Sequence, residues 1–510
     1  MSVSATIALE VELSAGNWTA LTGDYLPEAG LRLKRGMSGS GPTDRVASTG
    51  VLSFALDNLT NAAGLAGKYS PDHTNILSGW ELGKRVRLKV TYGGVTYYKF
   101  LGKIADIKPT PGVYQAPQVP VSAVDYMDEL ASHNLGRITA QTNVRGDQML
   151  AAVVANMPNA PVATAYDSGP DVYAHGLHSE KDESTKGMGA AQKIALSGMD
   201  EIYVRGDTSA GETLVYRSRH GRILNTGVVA TLAETMSGLR VGRTRDAIYN
   251  NLEVVIHPVQ RDTAPVILYS IQREISLDAG SSNTFTARYT DPLSSGRRVS
   301  SDQMITPVVD VDYKMAGVSG GKGNHLNANL TVAVTFGANS AEVTLTNTHA
   351  SKCGFIGRFN LRGYGLYEYD PVTLAYLDTA SQTTYGDRPL KYDLPYQQDK
   401  NVGQDFLNFF KGHHIAPVTA IESVEFPANN SDALMLAALQ CDVGSRITVT
   451  ETMTGLSKDY FIQGYALDIG PGGQINCTFG PLARSDIGGP FGQIGHATYG
   501  KIGDTLKIGY

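Results

Sequence analysis

The chain has 510 residues, too many for one hydrophobic core, and the length alone suggests three to four domains. Hydrophobic residues make up 42%, and 56 glycines with 26 tyrosines against 13 phenylalanines favour short strands and turns over helices. The net charge of −6, with both signs scattered, excludes the basic face that sequence-specific nucleic-acid binding requires.

Residues 1 to about 130 read as strands. Ala5–Leu13 and Val51–Asp57 alternate apolar and polar, and residues 83–107 form a hairpin. The stretch Asn61–Pro71 is small and turn-prone, an ordered loop lying across the strands. Asp125–Ser132 is a short closing helix. From about residue 141 the character changes. Gly146–Asn156 has helical apolar spacing with a proline stop at Pro158, and Gly187–Gly198 is a second helix ended by glycine. Strands Glu201–Arg205 and Thr213–Ser218 complete a small α+β insertion over residues 133–222. Residues 258–380 hold many alternating strands at short spacing, the pattern of a β-sandwich. Val402–Lys411 is a helix with Phe406, Leu407, Phe409 and Phe410 on one face. The tail from Ile487 to Tyr510 repeats glycine and isoleucine and has no core of its own, so it reads as an arm that orders on a partner.

The hairpin pattern occurs twice. Gly83-Lys-Arg-Val-Arg-Leu88 leads to Phe100-Leu-Gly102, and Gly444-Ser-Arg-Ile-Thr-Val449 leads to Phe461-Ile-Gln-Gly464 over an equal span. One extra residue, Gln463, then shifts the match, as a β-bulge would. Two copies of one β-domain in a single chain account for a repeat this widely separated, which no solenoid period allows.

Candidate chemistry is sparse. Cys353, Cys441 and Cys477 fit neither a disulfide framework nor a metal site and read as small hydrophobes buried in strands. His175 and His178 are spaced for metal, but a Gly/Pro-flanked loop favours solvated histidines. His413-His414 ends an amphipathic helix, where cations suit the dipole, and no third ligand is nearby. Gly187-Met-Gly lacks the Lys-Ser/Thr of a phosphate loop. Gly317-Val-Ser-Gly-Gly321 matches a nucleophile-elbow string, but no helix follows it. No catalytic, cofactor-binding or metal residue is therefore assigned. The N-terminus has no signal-peptide pattern and no window reaches membrane-span length, so a soluble protein made in a reducing cytoplasm is expected.

Several segments together resemble the tail-hub (baseplate hub, tail-tip) proteins of tailed bacteriophages. They are Asn347-Thr-His, Phe359-Asn-Leu-Arg-Gly363, Thr383-Thr-Tyr-Gly-Asp-Arg388, the Val402–Lys411 helix and Gly444–Val449. Phe54–Asn58, Gly67–Pro71, Gly83–Arg87 and Phe100–Gly102 are similar to the same family's N-terminal barrel. The resemblance implies a mainly β (α+β) chain with two related tube-like β-barrels. On this reading residues 1–132 form the first barrel, 133–222 the α+β insertion and 223–257 the start of the second barrel. Residues 258–380 form a β-sandwich-like insertion, 381–485 the rest of the second barrel and 486–510 the arm. It also implies a structural virion protein, a homotrimer at the distal end of the tail. Two barrels times three copies would match a six-fold tail tube or distal tail hexamer and line or close the channel for DNA and tape-measure protein. The arm would close the tip or bind a central fibre or tip protein. The sequence ends soon after the second barrel, without the long C-terminal extension of many such proteins, so receptor binding and peptidoglycan cleavage are expected to be delegated to other proteins. Candidate interface residues are Arg85 and Arg446, matched by the repeat, together with Tyr364, Tyr367, Tyr369, Phe491, Tyr499 and Tyr510. The alternatives are a tail-associated polysaccharide hydrolase with its carboxylates in 258–380, and a carbohydrate-binding or adhesion β-protein.

Overall fold

Seven strands build the first part of the chain: β1 (Thr6–Ser14), β2 (Asn17–Ala20), β3 (Leu31–Gly36), β4 (Ser48–Asp57), β5 (Arg85–Tyr92), β6 (Val95–Ile107) and β7 (Gln118–Val124). They come from a computed structural model that describes residues 3–58, 66–110, 117–180 and 184–484. The arm residues Phe491, Tyr499 and Tyr510 lie outside the described residues. Alternation fixes which face is buried. Val86, Leu88 and Val90 of β5 are buried, while Arg87 and Lys89 point the other way and meet Glu10 of β1 at 2.5 and 2.6 Å. β5 and β6 are joined by Gly93-Gly94, both at positive φ (57° and 79°), as a two-residue hairpin turn requires.

The order β3-β4-β7-β6-β5-β1-β2 continues through β3 into strands from the end of the chain. β3 pairs with Gly464–Ile469, from Leu31 opposite Ile469 to Gly36 opposite Gly464. Beyond it lie Ile475–Phe479, Ala420–Pro427, Leu482–Arg484, Leu456–Ile462, Arg446–Glu451 and Ala230–Ala233, with Gly238–Gly242 on Ala420–Pro427. One sheet thus runs through both halves, and one core lies beneath it.

This corrects the expectation of two barrels. No sheet among the described residues closes on itself. The edge of β3, which could have closed the first half, joins the two halves instead. The repeat survives as topology: β4-β7-β6-β5 on one side matches Ala420–Pro427, the 475–484 strands, the 456–469 strands and Arg446–Glu451 on the other. Its residue register is different from the sequence match. Phe100 stands opposite Leu88, whereas Phe461 stands opposite Arg446. The hydrogen bonds equate Ile104 with Ile462 instead. Gly83 N–H donates to Ile104 O (2.8 Å) and Ile104 N–H to Lys84 O (2.9 Å); Gly444 and Ser445 exchange the same pair with Ile462 (2.8 and 3.0 Å). The second hairpin has a longer turn, Thr452–Gly455, and the first has a bulge at Leu88/Lys89. Equal chain length therefore hid unequal strand length.

The helices are α1 (Tyr126–Ser132), α2 (Gly146–Ala155), α3 (Gly187–Gly198), α4 (Arg219–Leu224), α5 (Thr379–Tyr385), α6 (Lys400–His414) and α7 (Asp432–Gln440). The Asp125 carboxylate caps α1 by accepting from Met127 N–H. Helices α2 and α3 pack against each other beside a sheet of Ala163–Tyr166, Glu201–Arg205 and Thr213–Arg217. In 258–380 the long strand Gly354–Glu368 pairs with several partners, and the sheet Ser282–Arg288/Ser340–Asn347/Leu330–Phe336 faces it over a shared core. The paired layers are those of a sandwich. Strands Asn251–Ile256, Val372–Leu377 and Pro389–Leu394 form a further sheet, against which α6 buries Phe406, Leu407 and Phe410.

Candidate functional site

The two halves are pinned by a buried charge cluster. Arg35 on β3, Lys99 on β6 and Asp442 before Arg446–Glu451 are 3%, 1% and 2% exposed. Arg35 donates to both Asp442 oxygens, Nε at 3.1 Å and Nη2 at 2.7 Å. Lys99 Nζ donates to the carbonyls of Leu439 and Cys441, both at 3.1 Å, and lies 3.5 Å from Asp442 Oδ2. It also sits 4.4 Å above the Tyr465 ring. Gly206 N–H of the α+β insertion donates to the same Asp442 oxygen at 3.2 Å. Burial depresses the Lys99 ammonium, and Asp442 opposes that shift. Three parts of the chain converge on one carboxylate. Its chemistry is structural: both cations are needed to compensate a desolvated acid and the carbonyls around it.

Arg85 and Arg446 occupy matching ends of β5 and its counterpart, with different neighbours. Arg85 lies 3.3 Å from Glu12, over the Trp18 ring, and lines a small cleft with Lys103, Glu129 and Glu212. Burial pushes the Glu212 carboxyl up to about 7. Arg446 donates to Asp459 (3.0 and 2.7 Å) and to Asn225 O (3.1 Å). Burial raises Asp459, but the Thr448 hydroxyl and Arg446 outweigh it and hold it below the usual range. The tyrosines cover one sheet. Arg261 lies 4.0 Å above Tyr364, Tyr367 donates to Asp262 at 2.9 Å, and exposed Tyr369 donates to Gln260.

His175 and His178 are buried, contrary to the solvated reading: His175 lies in the strand Tyr173–Gly176, paired with Gln141–Val144, and His178 just after it meets Ser300 and Glu368 of the sandwich. His178 is 1% exposed, with Nε2 3.3 Å from Glu368, and His175 Nδ1 is 3.6 Å from Asp302. Among the described residues no group of three or more His, Cys, Asp or Glu side chains is placed to hold a metal. Ser319 of the elbow-like string donates to Glu274 in a turn after a strand. Of the cysteines, Cys477 lies buried in a strand, Cys441 is buried at the end of α7 and Cys353 is half-buried outside any strand. No helix among the described residues is long and apolar enough to cross a membrane.

A feature missing from the sequence reading is a cleft between α4, α6 and the loop 40–45. Met199, Ile223, Phe406, Phe409, Phe461 and Leu482 give it an apolar lining. Helix α4 was not foreseen, because Arg219–Leu224 has no apolar period; Ser218, whose hydroxyl accepts from Gly221 N–H, was its one signal.

No family model and no curated protein matches the sequence. The solved 43 kDa tail protein of prophage MuSo2 from Shewanella oneidensis superposes with a TM-score of 0.50 at 10% identity, covering 95% of this chain and 99% of that one. The fold is that of a phage tail protein. The tail protein from Neisseria meningitidis MC58 gives a TM-score of 0.48 at 8% identity, with 94% and 97% covered. Prophage tail protein gp18 from Listeria monocytogenes gives 0.40 at 9% identity, with 93% and 94% covered. The likeness to the Shewanella protein spans nearly the whole of this chain, whose own halves meet at the buried Arg35–Asp442–Lys99 cluster.

Proposed function

We propose that the chain is a structural, non-enzymatic virion component, a hub at the distal end of a phage tail that assembles as a ring of three copies. One observation carries this reading. Within the chain the halves are joined by a β-ladder between the outer edge of β3 and Gly464–Ile469. The second half has its own strand in the position of β3: Gly238–Gly242 lies antiparallel on Ala420–Pro427 as β3 lies on β4. Among the described residues its other edge pairs with nothing. An unpaired edge is a template for strand addition. A neighbouring copy offers the end of β6, which holds the place that Gly464–Ile469 holds in the second half. Head-to-tail repetition of the ladder generates a ring if the rotation closes. Three copies then present six similar sheet halves to a six-fold tail tube, with tape-measure protein and DNA on the inner side. The net charge of −6, with both signs scattered along the chain, is compatible with a wall past which DNA slides.

Light scattering on the purified 54.5 kDa chain, alone and with tail-tube protein, tests this. A mass of three chains is expected under one or both conditions. Val241→Pro, in the strand whose outer edge is unpaired among the described residues, should give a folded monomer by blocking strand addition. A wild-type chain that stays monomeric in both conditions, or a trimer indifferent to Val241→Pro, overturns the arrangement.

A further inference from the structure

Two turns of the chain share one construction and have opposite surroundings. Residues 81–84 lead into β5, and residues 442–445 lead into its counterpart Arg446–Glu451. Each sets an acid, an apolar residue and a glycine in a row, Glu81-Leu82-Gly83 and Asp442-Val443-Gly444. In each the carboxylate accepts the N–H of the next residue, Leu82 to Glu81 and Val443 to Asp442, both at 2.8 Å. Both turns close alike, with Lys84 N–H donating to Glu81 O (3.4 Å) and Ser445 N–H to Asp442 O (3.0 Å). Gly83 and Gly444 hold positive φ, 76° and 82°, and donate to Ile104 O and Ile462 O.

Their burial is different. Asp442 and Val443 are 2% and 0% exposed. Arg35, on the strand that crosses into the second half, holds the Asp442 carboxylate, and Tyr203 of the α+β insertion stands against Gly444. Glu81 and Gly83 are exposed, Leu82 is 53% exposed, and a side-chain carbon built on Gly83 would meet nothing within 4 Å. Trp80, 2% exposed, roots this uncovered turn in the core. A single exposed leucine is ordinary on a protein surface. This one stands where the matching valine is fully covered, beside the end of β6. Within the chain the covering strand is β3, and its counterpart in the second half is Gly238–Gly242. That strand also brings a cation: Arg240 is exposed, and among the described residues its guanidinium has no partner. On the basis of the ring reading, we propose that the Glu81–Leu82 turn is a contact between copies. Leu82 is buried against the neighbouring copy as Val443 is within the chain, and Glu81 pairs with Arg240 of that copy as Asp442 pairs with Arg35. A carboxylate already ordered by its own turn loses little freedom on pairing, and the cation opposite it selects which edge may add.

The test is the assembled mass by light scattering over a dilution series, alone and with tail-tube protein, on full-length variants. Leu82→Lys and Glu81→Arg change exposed side chains, so their melting by circular dichroism should match the wild type. Each should raise the concentration for half-assembly by about tenfold or more. Arg240→Glu should do the same, and Glu81→Arg combined with Arg240→Glu should restore wild-type assembly. A wild-type trimer that Val241→Pro disrupts but Leu82→Lys and Glu81→Arg leave intact overturns this contact and keeps the ring. A double variant no better than its singles overturns the Glu81–Arg240 pair. A wild-type chain that stays monomeric with and without tube protein overturns the ring, and this contact with it.

Discussion

At the scale of single residues, the most sensitive point of this chain is the buried charge cluster where its halves meet. Asp442 compensates Arg35 and Lys99 together, and it receives the Gly206 N–H. Removing one partner of a buried ion pair leaves an uncompensated charge and costs about 3–5 kcal/mol. Asp442→Asn keeps the shape and removes the charge, so its unfolding midpoint in urea should fall by a corresponding amount; an unchanged midpoint would refute the role of the cluster as a pin. His414 carries a pH effect whose sign follows from its surroundings. Burial, then His413, Arg45 and Arg484, push its pKa from the ordinary 6.5 to about 4. The folded state therefore holds a neutral ring that the unfolded state protonates first. Its contribution is complete above about 6.5 and is lost as pH falls towards 4. Asp125, raised by burial to about 7, works in the opposite direction, gaining stability on acidification. Both effects are present in any melting curve, so the informative quantity is a difference. His414→Phe should lose less melting temperature than the wild type between pH 7 and pH 4.5.

At the scale of elements, amphipathic pattern was legible wherever an element buries one face. Helices α2, α3 and α6 stand where apolar spacing put them, and α6 buries Phe406, Leu407 and Phe410 as its stripe demands. The alternation of β1, β4 and β5 was equally direct. Helix α7 escaped notice because Ala433-Leu-Met-Leu-Ala-Ala-Leu439 is apolar almost all round, the signature of an element buried between others rather than laid on a surface. Its one local signal is Ser431, whose hydroxyl accepts from Leu434 N–H at 3.2 Å. Ser431→Ala should cost about 1 kcal/mol in chemical denaturation, the usual value of a lost N-cap; no change would mean that tertiary burial alone holds the helix. The repeat shows the other limit of pattern. Glycine, arginine and phenylalanine recur at matching spacing, yet only hydrogen-bond register reveals that Ile104, not Phe100, matches the 461–462 position. A turn two residues longer and a bulge are invisible to spacing. The charged junction was unreadable for a related reason: Arg35, Lys99 and Asp442 are far apart in sequence and meet only because β3 crosses into the second half. The buried histidines were hidden because the composition around them matches a solvated loop, whereas His175 stands in a strand and both rings lie close to carboxylates.

At the scale of the whole molecule, the open sheet is the feature that connects fold to assembly. A closed barrel would have no edges to offer, whereas in this open sheet Gly238–Gly242 pairs on one side only among the described residues, which is the edge the proposed ring uses. Arg85 and Arg446 flank equivalent strands of the two halves, so a ring would place each near a junction or a tube contact. Their in-chain partners complicate a simple substitution. Arg446→Glu sets a carboxylate against Asp459, and any loss of assembly could come from that repulsion inside the fold. Reversing the pair separates the two effects. Arg446→Glu with Asp459→Arg restores an ion pair within the hairpin, worth about 0.2–1 kcal/mol at a partly exposed site, while the charge presented by position 446 remains inverted. If position 446 meets a neighbouring copy or the tube, the double variant should melt like the wild type yet fail to reach the mass of the ring or to bind tube protein. Arg85→Glu, whose Glu12 partner and cleft carboxylates make the same repulsion, calls for the matching Glu12→Arg exchange. Recovery of both folding and assembly in the two reversed pairs would confine these arginines to the subunit and exclude them as determinants of the ring.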